Sequence, residues 1–272
     1  MKTRAITGFF FIIVMLASVL LGPYVFGPFY LVLSVFCLVE FYSLVKQGGI
    51  SPNWVTGIIF AILTFISAGL VAMSDNDPGC YEFLLVIIPC VVAIFIQELF
   101  KKTSSPFTNI AYTVFGVIFV VLPMVFFYAM AFVNRITGFD FHFPLAFLIM
   151  LWANDTGAYL TGRAFGRTKL FERHSPKKTW EGFVGGVLIS AGAAFILAHF
   201  YTELKWSQWV IIAVLISFFG TTGDLIESMF KRSINVKDSG GILPGHGGLL
   251  DRFDGLFLAA PIVYTYLYLI SN

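Results

Sequence analysis

Two aspartates and a glutamate stand where their neighbours read as lipid-buried. Asp155 lies in Leu151-Trp-Ala-Asn-Asp-Thr-Gly-Ala-Tyr-Leu160, and Asp224 and Glu227 lie in Phe219-Gly-Thr-Thr-Gly-Asp-Leu-Ile-Glu-Ser228. An acid at mid-membrane costs about 2.5–3.5 kcal/mol on insertion scales, so such residues face a cavity, a cation or a partner charge. Asp224 and Glu227 share a helix face, and Lys231, one turn beyond Glu227, joins it. The plainer alternatives are an interhelical hydrogen bond for Asp155, alongside Asn154 and Thr156, and a charged helix end for the other two. Glu40 and Glu98 sit near helix ends from which a long side chain reaches the interface, and they read as structural.

The polar segment 231–255 is the richest in chemistry. It reads Lys-Arg-Ser-Ile-Asn-Val-Lys-Asp-Ser-Gly-Gly-Ile-Leu-Pro-Gly-His-Gly-Gly-Leu-Leu-Asp-Arg-Phe-Asp-Gly. Lys231, Arg232 and Lys237 come first, then five glycines around Pro244 and His246, then Asp251 and Asp254. Lysine and arginine pair with phosphate oxygens, and glycines let backbone N–H groups approach an anion. Carboxylates at i and i+3 can face one cation. An oxygen-only donor set points to Mg²⁺ rather than Zn²⁺, and His246 has no second histidine or cysteine beside it. The glycines do not form a Gly-x-x-x-x-Gly-Lys-Ser/Thr loop. Loop 163–182 adds Arg163, Arg167, Lys169, Arg173, Lys177 and Lys178. These satisfy the positive-inside rule, or form a polybasic collar for lipid headgroups or a nucleotide. Ser175-Pro-Lys-Lys-Thr-Trp-Glu-Gly182 is dense in phosphate-binding types. No nucleic-acid partner is expected, since there is no basic soluble domain.

The elements that must position these residues are membrane helices. The chain has 272 residues, 58% hydrophobic and 12% charged, whereas a soluble protein carries about 25% charged residues. Apolar segments run over 6–22, 24–45, 55–73, 83–100, 110–133, 144–162, 183–200, 209–230 and 256–270. They are too long and continuous for barrel strands. Pro89 and Pro123 fall inside spans, where neighbours can satisfy the freed carbonyls. The expectation is an all-α integral membrane protein of about nine transmembrane helices. With the N-terminus in the cytoplasm, fifteen of the seventeen basic residues face inward and only Arg135 and Lys205 face outward. The outer loop 74–82 is acidic, with Asp75, Asp77 and Glu82. The first segment lacks an Ala-x-Ala cleavage site and reads as a retained span. Cys37, Cys80 and Cys90 form no metal spacing and read as packing residues. Residues 1–143 read as scaffold, and 144–272, with loops 163–182 and 231–255, as the catalytic part.

Residues 228–254 follow the pattern Ser-x-Phe-Lys-Arg-(four)-Lys-Asp-x-Gly-(two)-Leu-Pro-x-His-Gly-Gly-Leu-x-Asp-Arg-Phe-Asp. This resembles the signature of phosphatidate cytidylyltransferases, also called CDP-diglyceride synthetases, with every fixed position filled. Upstream, Asn154-Asp155-x-Gly157-Ala158-Tyr159, Gly162, Phe165-Gly166, Ser175-Pro-Lys-Lys-Thr179, Glu181-Gly182 and Gly223-Asp224 resemble further family positions. The resemblance covers about residues 150–255; the apolar first half matches only in character.

The resemblance implies that CTP and phosphatidate give CDP-diacylglycerol and pyrophosphate with Mg²⁺. It also implies an all-helical homodimer in a bacterial cytoplasmic membrane, with a second, monovalent cation such as K⁺. On this reading Asp224, Asp251 and Asp254 hold the cation, supported by Glu227, and Lys231, Arg232, Lys237 and Arg252 grip phosphates. The Gly240–Gly248 loop, with His246, Gly247 and Gly248, shapes the nucleotide cradle. Ser175, Lys177 and Lys178 serve CTP or the lipid headgroup, and Asp155 completes the polar cavity. The nearest alternative is a CTP-dependent polyprenol or phytol kinase. An ion-coupled transporter is more remote, since no internal repeat is found.

Overall fold

The computed structural model describes residues 2–74, 78–134, 138–236, 239–240 and 247–271. Lys237 and His246 lie outside these residues, as do Asp75, Asp77 and Arg135 of the expected outer loops. The described backbone is almost entirely helical. It comprises α1 (Lys2–Leu20), α2 (Pro23–Gln47), α3 (Trp54–Met73), α4 (Ile87–Phe100), α5 (Pro106–Gly116), α6 (Leu122–Ala129), α7 (His142–Phe165), α8 (Trp180–Phe200), α9 (Trp206–Ser233) and α10 (Leu250–Ser271). Helix is what an apolar chain must form in lipid, where each N–H and C=O can be paired only within its own segment.

Among the described residues seven helical stretches are long and apolar enough to cross a membrane: Pro23–Gln47, Trp54–Met73, Gly79–Phe100, Pro106–Phe132, Trp180–Phe200, Trp206–Ser233 and Leu250–Ser271. The sequence also places α1 and α7 in the bilayer. The apolar stretch of α1 is Thr7–Leu20, and α7 is diluted by Asn154, Asp155, Thr156 and Arg163. The turn between α1 and α2 uses Gly22 at φ +90°, followed by Pro23 at the helix start.

Two prolines are accommodated locally. Pro89 falls in the first turn of α4, where no N–H is required. The residues before it, Pro78–Val86, wind as a tighter 3₁₀ helix. Pro123 follows a π turn at Val117–Val121 that joins α5 to α6. That wider turn relieves the contact a proline ring makes with the carbonyl one turn earlier.

The aromatic core lies where α2, α6 and α7 meet. Phe26, Tyr30, Phe127 and Phe147 are fully buried, with successive ring centroids 4.8–5.9 Å apart. Exposed Phe10, Leu99, Phe100, Leu188 and Phe195 present apolar surface outward, as a lipid solvent requires.

Two close helix contacts position the polar residues. Between α7 and α8, a Cβ on Gly186 would come within 2.7 Å of the Asn154 side chain, and one on Gly185 would collide with Thr161. Small residues allow such an approach where no hydrophobic effect drives association. Between α9 and α10, a Cβ on Gly255 would lie 3.4–3.5 Å from the Gly220 backbone, and one on Gly223 would strike the Asp254 carbonyl. These contacts bring the acids of α9 beside those of α10.

A short hairpin, not anticipated from the sequence, occupies loop 163–182. Strand β1 (Lys169–Phe171) pairs antiparallel with β2 (Ser175–Thr179), matching Lys169 to Thr179 and Phe171 to Ser175. Thr179 caps α8 by accepting the Gly182 N–H at 3.1 Å. Glu181 accepts the Arg167 and Thr168 N–H groups, each at 3.1 Å. The hairpin is thereby fixed at both edges. At the opposite end of the bundle His142 pairs with Glu203 at 2.5 Å and Asp140 at 3.2 Å, tying the start of α7 to the α8–α9 turn.

Glu98 forms a buried knot at the end of α4. Only 2% exposed, it accepts hydrogen bonds from Asn53 (2.9 Å), Asn109 (2.6 Å) and Thr103 (2.8 Å). Glu98→Ala removes three charge-assisted bonds and strands two amides. It should lower stability by about 3 kcal/mol, measured as a fall in thermal midpoint in detergent; an unchanged midpoint would contradict the knot.

Candidate active site

The site is assembled from the last three turns of α9, the first two turns of α10, the polar part of α7 and strand β2. Along α9, Asp224, Glu227 and Lys231 share one face, as the spacing predicts. The Lys231 Nζ lies 2.5 Å from Glu227 Oε2 and 2.6 Å from Asp251 Oδ1, bridging α9 to α10. Glu227 is wholly buried and Lys231 nearly so.

Asp251 is held from its other side. Its Oδ2 accepts the Ser239 N–H at 3.2 Å and the Gly248 N–H at 3.1 Å. Gly247 has φ +80°, and a Cβ there would lie 2.8 Å from Asp251 Oδ2. This turn therefore needs glycine both for its backbone and for room. The sequence reading reserves the loop's N–H groups for a nucleotide; here two of the described ones grip a carboxylate.

A second ion pair lies one turn back along α9. The Lys178 Nζ, carried by β2, is 2.6 Å from Asp224 Oδ2, and Asp224 Oδ1 accepts the Ser228 hydroxyl at 3.3 Å. Asp254 lies within electrostatic range of Asp224, Glu227 and Asp155, and its Oδ1 accepts the Gly255 N–H at 2.6 Å. Asp155 interacts in turn with Lys178, Asp224 and Arg252. Asp155, Asp224, Asp254, Glu227 and Asp251 thus form one continuous array, threaded by Lys178 and Lys231.

A cavity of about 390 Å³ opens beside this array. Its walls include Asn154, Asp155, Arg163, Lys177, Lys178 and Asp224. Tyr159, 62% exposed, stands at its rim. The cavity therefore offers three cations and two carboxylates beside apolar surface, a suitable lining for an anionic headgroup.

The donor types suit a hard cation, but among the described residues no three of these carboxylates bring their oxygens within 4.8 Å of one another, as Asp140, His142 and Glu203 do at the other end of the bundle. Five carboxylates outnumber the lysines between them, and the buried Glu227 Oε1 has no hydrogen-bond partner among the described residues. Buried charge left in this state is unfavourable, and oxygen donors suit Mg²⁺. Asp224, Glu227, Asp251 and Asp254 are the residues that would hold it.

The structure separates the other sequence candidates. Lys177, Lys178, Lys231 and Gly248 join the site, and Gly247 adjoins Asp251. Ser175 pairs with Phe171 at the far end of β2 and does not line the cavity. Arg232 is exposed and donates to the Val236 carbonyl at 3.4 Å, closing the end of α9. Arg163, in sequence only one of six basic residues of the 163–182 collar, lines the cavity. Glu40 is buried and accepts the Leu250 N–H at the start of α10. The available signal is an acid two turns inside the end of an apolar helix.

Fold and site together define a multi-pass membrane protein whose polar centre handles phosphate groups. The chain belongs to the cytidylyltransferase family, whose sequence model matches residues 2–270; it is a nucleotidyltransferase. It is 32% identical over 265 residues to a phosphatidate cytidylyltransferase of Staphylococcus haemolyticus strain JCSC1435. It is 33% identical over 268 residues to the protein of that name from Staphylococcus aureus strain COL. The Staphylococcus saprophyticus protein of that name is 34% identical over 268 residues. In each case 97% of this chain and 97% of the relative are covered.

The two lysines should respond differently to substitution. Lys231→Met leaves buried Glu227 without its counter-charge and should cost about 3–5 kcal/mol of stability. Lys178→Met breaks a half-exposed pair and should change stability by less than about 1 kcal/mol while lowering turnover. Thermal unfolding in detergent checks both, and equal losses would contradict the assignment.

Proposed function

We propose that the chain transfers the cytidylyl group of CTP to phosphatidate, giving CDP-diacylglycerol and pyrophosphate. The observation that carries this reading is the carboxylate array threaded by Lys178 and Lys231, placed beside a basic cavity in a member of this family. The activity named for its relatives needs two polyanions brought together and a pyrophosphate released.

The chemistry asks little of a general base. The phosphatidate phosphate is already ionised near neutral pH and is itself the nucleophile. A lipid phosphate oxygen bonds to the α-phosphorus of CTP as the bond from that phosphorus to the bridging oxygen breaks, and the electron pair leaves on pyrophosphate. Lys177, Lys178 and Arg163 line the cavity and would neutralise the lipid phosphate. Arg232, Lys237 and Arg252 would receive the CTP phosphates, while Lys231 holds Glu227 and Asp251 beside them. Preorganised charge of this kind is worth most where water is scarce. Bound by Asp224, Glu227, Asp251 and Asp254, Mg²⁺ would supply charge neutralisation for the transferred and leaving oxygens.

The proposal places the N-terminus and the basic loops in the cytoplasm, with the protein in a bacterial inner membrane. It includes the homodimer and the K⁺ ion that the family resemblance implies, and it assigns 1–143 to scaffold and 144–272 to catalysis.

The test is incubation of the purified protein with phosphatidate micelles and CTP labelled at either the α- or the γ-phosphate. The α label should enter lipid, the γ label should leave as pyrophosphate, and chelation of Mg²⁺ should stop both. Entry of the γ label into a lipid alcohol would make the protein a kinase. Ion flux in proteoliposomes without CTP consumption would make it a transporter. Asp224→Asn and Asp251→Asn should each lower turnover at least about 100-fold, and near-normal rates would remove the cation assignment.

A further inference from the structure

Glu40 lies outside the 228–254 motif and outside the carboxylate array, on α2, yet it touches the loop and helix that carry Asp251 and Asp254. Its side chain is 4% exposed. Oε2 accepts the Leu250 N–H at 2.8 Å, across 210 residues of sequence. Leu250 begins α10, and the first N–H groups of a helix have no partner within it. The residue before it, Leu249, starts the helical bonding through its carbonyl but has no side-chain acceptor, unlike the serine, threonine or aspartate usual at that position. Glu40 supplies the missing cap from another helix, and its charge faces the positive end of the α10 dipole.

The second oxygen meets the glycine-rich loop. Oε1 has no hydrogen-bond partner among the described residues. A Cβ on Gly240 would come within 2.6 Å of Oε1, and one on Gly248 within 2.7–2.8 Å of both oxygens. Ser239 and Gly248 donate their N–H groups to Asp251, so the loop is clasped between Glu40 and Asp251. Phe41, next to Glu40, stacks on Phe230 of α9 with centroids 5.1 Å apart. The inner end of α2 is therefore registered against α9 as well as α10.

We propose that Glu40 is a positioning residue: it seats Ser239, Gly240 and Gly248 together with the start of α10, and so places Asp251 and Asp254 opposite Asp224 and Glu227. Only the kinetic consequence rests on the function proposed above. The seating of loop and helix is a property of the protein itself.

The experiment uses the full chain in detergent, with Glu40→Ala, Glu40→Gln, Gly240→Ala and the Glu40→Ala/Gly240→Ala pair. Hydrogen exchange is read over 247–256, and kcat, KM and Mg²⁺ half-saturation are read from CDP-diacylglycerol synthesis. Glu40→Ala should speed exchange in 247–256 and leave α7 and α8 unchanged. It should lower kcat about 100-fold, raise the Mg²⁺ half-saturation about tenfold, and keep the phosphatidate KM within about threefold. Glu40→Gln keeps an oxygen for the Leu250 N–H. It should restore the exchange protection and at least about a tenth of the turnover, which keeps the proposal testable if the alanine variant folds poorly. Gly240→Ala should slow the parent protein but add little further loss to Glu40→Ala, because the three atoms nearest its Cβ all belong to Glu40. Unchanged exchange and kcat in Glu40→Ala, or additive losses in the pair, would overturn the proposal. So would a kcat loss that follows only the folded fraction, with Mg²⁺ half-saturation unchanged. A parent protein that makes no CDP-diacylglycerol would instead defeat the functional reading, and exchange would still decide the role of Glu40.

Discussion

One ammonium group between two carboxylates organises the polar end of this bundle. Lys231 reaches Glu227 on its own helix and Asp251 on the next, at 2.5 and 2.6 Å. An acid buried in a membrane helix is costly, and a single lysine serving two acids offsets only part of that cost. The arrangement holds α9 and α10 together while leaving surplus negative charge beside them. The helices can come this close because Gly220, Gly223 and Gly255 form the contact surface. Small residues in the apolar stretch thus determine where the charged residues meet.

From that bridge the site extends in two directions. Toward the glycine-rich loop, Asp251 is clasped by the N–H groups of Ser239 and Gly248. Toward the hairpin, Asp224 holds Lys178 at the edge of a cavity bounded by α7, α8 and β2. A nucleotide approaching from one side and a lipid phosphate from the other would converge on the carboxylates between them. Lys178 is the hinge of this arrangement. Its pair with Asp224 is partly open to solvent, so exchanging the carboxylate for another anion would cost it little desolvation.

Much of this was legible in the sequence for a physical reason. Lipid forces helix on every apolar run, so the spans declare themselves, and acids among them stand out against a uniform background. Asp155, Asp224, Glu227 and Lys231 were readable because helical periodicity fixes which of them share a face. The hairpin at 169–179 was not readable: its strands are short and polar, and they are fixed by Thr179 and Glu181 rather than by a pattern of their own. Glu40 is structural, as the sequence suggests, but it is buried rather than interfacial, because an acid near the end of an apolar helix does not declare which way it turns. Its partner, the Leu250 N–H, is a backbone group that no sequence pattern names. The fate of the loop N–H groups was equally hidden, since Asp251 and a nucleotide phosphate are both anions and glycine spacing does not choose between them.

On the proposed function, the acids of α9 and α10 would hold one cation between them. The most direct measurement is the anomalous scattering of Mn²⁺ in crystals of the protein grown with that ion and CTP, together with turnover supported by Mn²⁺. An Mn²⁺ peak bounded by Asp224, Glu227, Asp251 and Asp254 is expected. Turnover with Mn²⁺ combined with a peak elsewhere, and none among these four carboxylates, would contradict it.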